Sequence, residues 1–288
     1  MELKEIAKEI RDVISQYQKN NSLSFIEDTH TYYIKDENGN ITSSMPSVST
    51  VLHCFYTEFD ATSTKAFKDC LGDKEKEKLL LETWAATGDY ASNMGSRVHY
   101  ILEKHLVDMY GSYKEVRQPI FDCDEEQTST GDQMIIAGKE FVQLMHDRGA
   151  VLLDTEIVLG SLELGYFGQP DKVWLMKDKD GNVGIVITDW KTNKPKNFLV
   201  HGYTKKMLSP FQTYPDNSLS HYYIQLPLYA KLLLNMLKGS KYEKISFLGA
   251  VVVLVKQEGE FEEYRIPKDV IQKILDMDVK YYLNKSKH

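Results

Sequence analysis

The chain has 288 residues, 42% of them hydrophobic and 27% charged, with a formal net charge of −7. That length and apolar content predict one large domain, or a domain with an elaboration, built on a sizeable core. The acidic balance excludes a protein that coats nucleic acid by bulk charge, while leaving room for a local basic groove.

No run of eighteen apolar residues offers a membrane span, and the opening MELKEIAKEIRDVISQ is charged and amphipathic rather than built as a signal peptide. Both observations predict a soluble, cytoplasmic protein with no membrane partner. Cys54, Cys70 and Cys123 are unevenly spaced with no C-x-x-C pair, which predicts free thiols and excludes a disulfide framework or a zinc or iron–sulfur site.

In chain order, Ile6, Ile10, Val13, Ile14 and Tyr17 recur at helical spacing and predict an amphipathic helix over 1 to about 20. Strand-like runs at 24–26, 31–34 and 41–43 are punctuated by Asp-Glu-Asn-Gly-Asn at 36–40, which predicts a hairpin with Gly39 free to take positive φ. Pro46 and Ser47 open a helix toward Val51. From about 60 to 110 the chain reads as helical, and Val98, Ile101, Leu102 and Leu106 share one face of the segment that also carries His99.

Gly111, Pro119 and the acidic run 122–126 predict a loop over 111–130, followed by a helix over about 131–148. The runs 151–159, 165–176 and 183–190 predict three strands of a small antiparallel core, the last two joined by a turn at 179–182. A basic loop at 191–206, a helix over about 219–238, strands at 244–255 and 260–266 and a helix from Pro267 complete the chain.

Two stretches of this strand region carry chemistry: GQPDKV at 168–173 and TDWKT at 188–192. Aspartates at the ends of neighbouring strands can converge, and carboxylate oxygens are the ligands that hard ions such as Mg²⁺ and Mn²⁺ prefer. The period of two puts Asp189 and Lys191 on one face and turns Trp190 into the packed layer behind. An acid and an ammonium on one surface suit phosphodiester hydrolysis, in which bound metal activates water and a lysine offsets developing charge. Gly168 and Pro170 are expected to bend the strand toward the metal.

Pro170-Asp171 followed eighteen residues later by Asp189-x-Lys191 resembles the signature of PD-(D/E)xK nucleases, in the Asp-x-Lys form of the RecB-like, phage-type exonuclease branch. Two further elements occur in the family's order. Gly95-Ser-Arg-Val-His99 resembles the upstream helix whose histidine ligates metal, and Gln225-Leu-Pro-Leu-Tyr229 resembles its Q-x-x-x-Y helix. On residues alone Tyr229 also reads as helix packing, His99 as an ordinary helical histidine and Glu156 as an exposed strand residue.

The resemblance spans about 90–235 and reaches weakly to the N-terminal hairpin. It implies a restriction-endonuclease-like α/β core, a mixed β-sheet flanked by helices, over 91–288, with the N-terminal helix, hairpin and helical elaboration over 1–90. It implies a catalytic set of Asp171, Asp189, Lys191, Gln225 and Tyr229. It also implies one or two Mg²⁺ or Mn²⁺ ions held by His99, Asp171, Asp189, the Trp190 backbone carbonyl and Glu156; imidazole favours Mn²⁺.

The iron–sulfur subgroup of the family needs four cysteines, so no Fe–S cluster is expected, and the absence of a Walker A loop predicts a nuclease with no motor attached. The implied activity is metal-dependent exonucleolytic hydrolysis of DNA from a free end, in phage or mobile-element recombination, repair or processing in a bacterial host's cytoplasm, with a recombination protein as a possible partner. An endonuclease of the same superfamily and a catalytically silent DNA-binding module are the alternatives.

For nucleic acid, the stretch 191–206 holds five lysines and no acid. Lys194, Lys196, Lys205 and Lys206 are expected on phosphates, joined by Arg97 from the upstream helix. Tyr203, with Phe198, Phe211 and Tyr214, is expected to stack on bases, at ~1–3 kcal/mol per base. The acidic run 122–126 would confine DNA to a channel.

Overall fold

A five-stranded mixed sheet organises the computed structural model, which describes all residues except 1, 27–28, 30, 58–65, 112–114, 200–204 and 286–288. Helix α1 (Leu3–Asn20) buries Ile6, Ala7, Ile10 and Ile14, the stripe its sequence period predicts. Strands β1 (Leu23–Ile26), β2 (Thr31–Lys35) and β3 (Ile41–Met45) form a separate antiparallel sheet. Its second turn is set by the Asp36 carboxylate, which accepts the Asn38 and Asn40 amides, and by Gly39 at φ 82°. Ser47 caps the short α2 (Val48–Leu52), accepting the Thr50 amide at 3.1 Å.

After α3 (Ala66–Asp69) comes α4 (Lys74–Tyr110), capped by Asp73 and closed by Gly111 in the left-handed conformation. The expected boundary at residue 90 falls inside this helix, which crosses it without a break. Burial changes near that point instead, because Met94 is the first buried residue of α4.

Helix α5 (Glu125–Asp147) begins well before the expected start near 131. The acidic run that reads as a loop is a cap: Asp124 accepts the Gln127 amide at 2.7 Å and the Gln127 side chain returns to the Asp124 amide at 2.9 Å. Glu125 and Glu126 then sit in the first turn, where the helix dipole favours negative charge.

The remaining elements are β4 (Val151–Thr155), β5 (Leu159–Ser161), β6 (Tyr166–Gly168), β7 (Lys172–Lys177), β8 (Val183–Lys191), α6 (Pro195–Leu199), α7 (Ser218–Met236), β9 (Ser246–Val255), β10 (Phe261–Arg265), α8 (Lys268–Asp276) and α9 (Val279–Lys285). The sheet order is β10-β9-β8-β7-β4. Its pairs are antiparallel except β8 and β9, which run parallel because the crossover between them contains α7. The three strands expected as an antiparallel core, β4, β7 and β8, pair antiparallel, and the parallel β8–β9 pair makes the whole sheet mixed. Two expected strands are also broken, one at Glu156 (φ 45°) and one at 169–171, and the pieces β5 and β6 pair as a small hairpin.

One face of the sheet packs with α1, α2, α7 and α8, around Leu153, Leu175, Ile187 and Val252. The other packs with α4 and α5, where Trp174, Trp190, Val98 and Phe141 meet. The architecture is a mixed sheet flanked by helices, as the α/β expectation had it.

Gly168, immediately before the Gln169-Pro170-Asp171 break, lets α7 and α2 close on the sheet. A Cβ there would lie 2.5 Å from Tyr229 Cε1 and 2.6 Å from Val48 Cγ2. Close approach, rather than a left-handed bend, is the reason for glycine, since Gly168 is not among the residues with positive φ. Gly168→Ala is expected to cost about 1–3 kcal/mol of stability by overpacking, read as a lower denaturation midpoint. A variant as stable as the parent would show that α7 is free to retreat.

Candidate active site

The register of β7 on β8 pairs Lys172 with Thr188, so Asp171, just before β7, arrives beside the Asp189–Trp190 peptide. The Trp190 amide donates to Asp171 Oδ2 at 3.0 Å. From α4, His99 Nδ1 stands 3.5 Å from the same oxygen, and Lys191 Nζ lies 2.7 Å from Asp189 Oδ1. As the strand period requires, Trp190 points the other way, buried edge-on against Phe141 with ring centroids 5.3 Å apart. The Trp190 backbone carbonyl lies near enough to His99 to raise its basicity. Asp171, His99 and the Trp190 carbonyl are thus brought together, with Asp189 and Lys191 next along the strand.

Burial and the charge of Asp171 push Asp189 up to about 7, against the pull of Lys191 and Lys172. Burial alone would raise Asp171 too, but Lys172, His99, Lys191 and the Trp190 amide together hold it well below the ordinary carboxylate range. Two neighbouring acids in a dry site are thus driven apart. Lys191 is partly buried, and Asp189, Tyr222 and Asp171 keep its ammonium charged against that burial. His99 is pushed down to about 4 chiefly by burial.

The donor set suits a hard divalent ion: two carboxylates, a neutral imidazole and a carbonyl. Asp189 Oδ1, although close to Lys191, has no well-aligned hydrogen-bond donor, which leaves it free to turn to a cation. Among the described residues no three His, Cys, Asp or Glu side chains converge into a ready ligand group. Lys172 and Lys191 supply the compensating positive charge instead.

Glu156 is not a strand residue. Its left-handed backbone is pinned from both sides, its amide donating to the Asp171 carbonyl at 3.1 Å and its carbonyl accepting from Gln169 Nε2 at 2.7 Å. It lines a cleft of about 730 Å³ with His99, Tyr100, Glu103, Arg117 and Gln169. Tyr229 is buried, its hydroxyl accepting from Gln225 Nε2 at 2.9 Å, and it lies near enough to feel Asp189 and Lys191. The i, i+4 pair is therefore a linked wall of the site, with Tyr229 packed as its helix-packing reading has it.

Two residues at the site escaped the sequence reading. Tyr222, three residues before Gln225 on the same helical face, places its ring 4.3 Å under the Lys191 ammonium. Lys172 stood in the quoted GQPDKV and is wholly buried beside Asp171.

The expected nucleic-acid contacts fare less well. Arg97 is tied down by Asp132 at 2.6 Å and the Thr128 carbonyl, so it braces α4 against α5 rather than facing outward. Phe198 and Phe211 are fully buried core residues, and Tyr214 donates to Asp269, which corrects their stacking role. Lys205 is engaged by Asp216 at 3.0 Å and the Thr57 carbonyl at 2.7 Å. Lys194 and Lys206 are exposed. Tyr203 and the side chain of Lys196 lie outside the described residues.

Among the described residues no helix is long and apolar enough to cross a membrane. No protein-family model matches this chain, and no curated protein matches it either. Among solved structures, one described as "Crystal structure of SSO0001" aligns over 65% of this chain and 82% of that chain at 12% identity, with a TM-score of 0.25.

The His99 environment gives a direct test. Its folded pKa lies below the unfolded value, so the unfolded chain binds the extra proton and His99 costs stability as pH falls from 6.5 toward about 4. The ring's cleft-facing third meets water, which limits the energetic size of the effect. Nitrogen-15 NMR of His99 is expected to show a neutral imidazole at pH 6, with its midpoint near 4. A midpoint at 6 or above would contradict the buried placement beside Lys172 and Lys191.

Proposed function

We propose that this chain is a divalent-metal-dependent deoxyribonuclease that hydrolyses phosphodiester bonds, acting as an exonuclease on DNA with a free end. The observation that carries the reading is the Trp190 amide clamp on Asp171, which holds that carboxylate beside His99 and next to the strand end that carries the Asp189–Lys191 pair. The motif order His99, Asp171, Asp189, Lys191, Gln225, Tyr229 supports the same reading, as does its resemblance to RecB-like nucleases. A setting in phage or mobile-element DNA recombination or repair rests on that resemblance alone.

In this reading Asp171, Asp189, His99 and the Trp190 carbonyl would hold Mg²⁺ or Mn²⁺. The ion supplies an acidified water and neutralises charge on the scissile phosphate. Asp171 is kept ionised and aimed by the Trp190 amide, so it needs no reorganisation. In the metal-free chain burial and the Asp171 charge raise the pKa of Asp189, and a cation bound there would favour its carboxylate form. Lys191, held between Asp189 and the face of Tyr222, presents a permanent positive charge that orients the attacking water and offsets charge on the phosphate. The cleft beside His99 gives the strand an approach, and Gln225 and Tyr229 form the wall that keeps Asp189 dry.

Lys191→Ala is expected to lower Mn²⁺-dependent degradation of end-labelled linear DNA by on the order of 100- to 1,000-fold with an unchanged circular dichroism spectrum. Undiminished degradation would overturn the assignment. Circular single-stranded DNA is expected to resist, and cleavage of the circle would make the enzyme an endonuclease.

A further inference from the structure

Lys172 is a feature of the site that the proposed chemistry does not use. It opens β7 between Thr155 of β4 and Thr188 of β8, on the sheet face that carries Trp190. Its side chain is 1% exposed, and it ranks among the largest fully buried side chains of the fold. A lysine in such a place would ordinarily be excluded, because an ammonium gives up its hydration on burial and needs its three donors satisfied. This one has a 3.4 Å contact to Asp171 Oδ2 and the face of the Trp190 indole at 4.0 Å.

Neither contact is a strong hydrogen bond, so the justification for the charge lies in its field. Burial lowers the basicity of Lys172, and the charges of Asp171, Asp189 and Glu156 act against that loss. Lys191 is already paired with Asp189 at 2.7 Å. Without Lys172, Asp171 would keep only the Trp190 amide and His99 to hold its orientation. The indole face behind the ammonium and the full burial of its side chain make it a stationary charge rather than a mobile one.

We propose that Lys172 is a positioning residue, an internal counter-charge that holds Asp171 and offsets the acid cluster in the metal-free protein and repels a divalent ion once one is bound. The inference rests on the metal-dependent reading of the site. It predicts that the chain is built to bind its ion reversibly: Lys172 keeps the acids folded in place without metal and weakens the metal complex by its repulsion.

The test compares the full-length chain with Lys172→Met, which keeps the length and removes the charge, and Lys172→Arg, which keeps the charge. Thermal midpoints are read in EDTA and in saturating Mn²⁺, and free Mn²⁺ is counted by electron paramagnetic resonance. Lys172→Met is expected to melt lower than the parent in EDTA, to gain more than the parent on adding Mn²⁺, and to bind Mn²⁺ at least about tenfold more tightly, as removal of a like charge near a divalent ion requires. Lys172→Arg is expected to keep parent-like Mn²⁺ affinity.

If Lys172 merely packs on Trp190, Lys172→Met will lose the same stability with and without Mn²⁺ and bind the ion no more tightly, and the proposal is overturned. Should Lys172→Met fail to fold in EDTA, refolding with Mn²⁺ decides: recovery supports the proposal and no recovery refutes it. If Mn²⁺ stabilises neither the parent nor any variant, the metal-dependent reading itself fails and takes the Lys172 role with it. A Mn²⁺ response that is equal in parent and Lys172→Met removes the Lys172 role alone.

Discussion

One hydrogen bond, from the Trp190 amide to the Asp171 carboxylate, joins the two ends of the β7–β8 hairpin and fixes everything arranged around them. Asp171 lies outside regular strand, after the break at 169–170, where a side chain would otherwise be free to swing. The amide that holds it belongs to a residue whose indole is locked in the core against Phe141, so the clamp has the rigidity of the packed sheet behind it. The same indole carries the Lys172 ammonium on its face. Orientation of the acid, placement of the buried lysine and the position of His99 all refer back to Trp190.

The cost of this arrangement is visible in the residues it holds away from their preferred states. Asp189 is buried with a pKa pushed up to about 7, which penalises its ionised form in the folded chain. Glu156 adopts φ 45°, a conformation that a side chain with a Cβ avoids, and two backbone hydrogen bonds hold it there. Glu156 lines the cleft beside His99, and Asp189 lies buried at the end of β8.

Much of the frame is legible in the sequence because it depends on short periods. The Ile6–Ile14 stripe, the Asp36–Asn40 turn and the alternation of Asp189, Trp190 and Lys191 are local patterns, and the structure follows each. What escaped depends on partners far along the chain. Arg97 reads as a free cation until Asp132 is folded against it, and Phe198 and Phe211 read as stacking aromatics until the core closes over them. The start of α5 was hidden because Asp124 and Gln127 look like loop residues unless their reciprocal cap is recognised. The break at Glu156 carries no glycine to announce it, and Lys172 passes as one more residue of a strand until its burial is seen.

In the metal-dependent reading proposed above, Asp171 and Asp189 form one cation site around the Trp190 clamp. The most direct measurement is anomalous diffraction at the manganese edge from crystals of the chain equilibrated with Mn²⁺. The account predicts a peak in direct contact with carboxylate oxygens of both Asp171 and Asp189, beside His99 and the Trp190 carbonyl. Crystals with Mn²⁺ bound elsewhere, and with Asp171 and Asp189 still held by Lys172 and Lys191 at saturating ion, would contradict it.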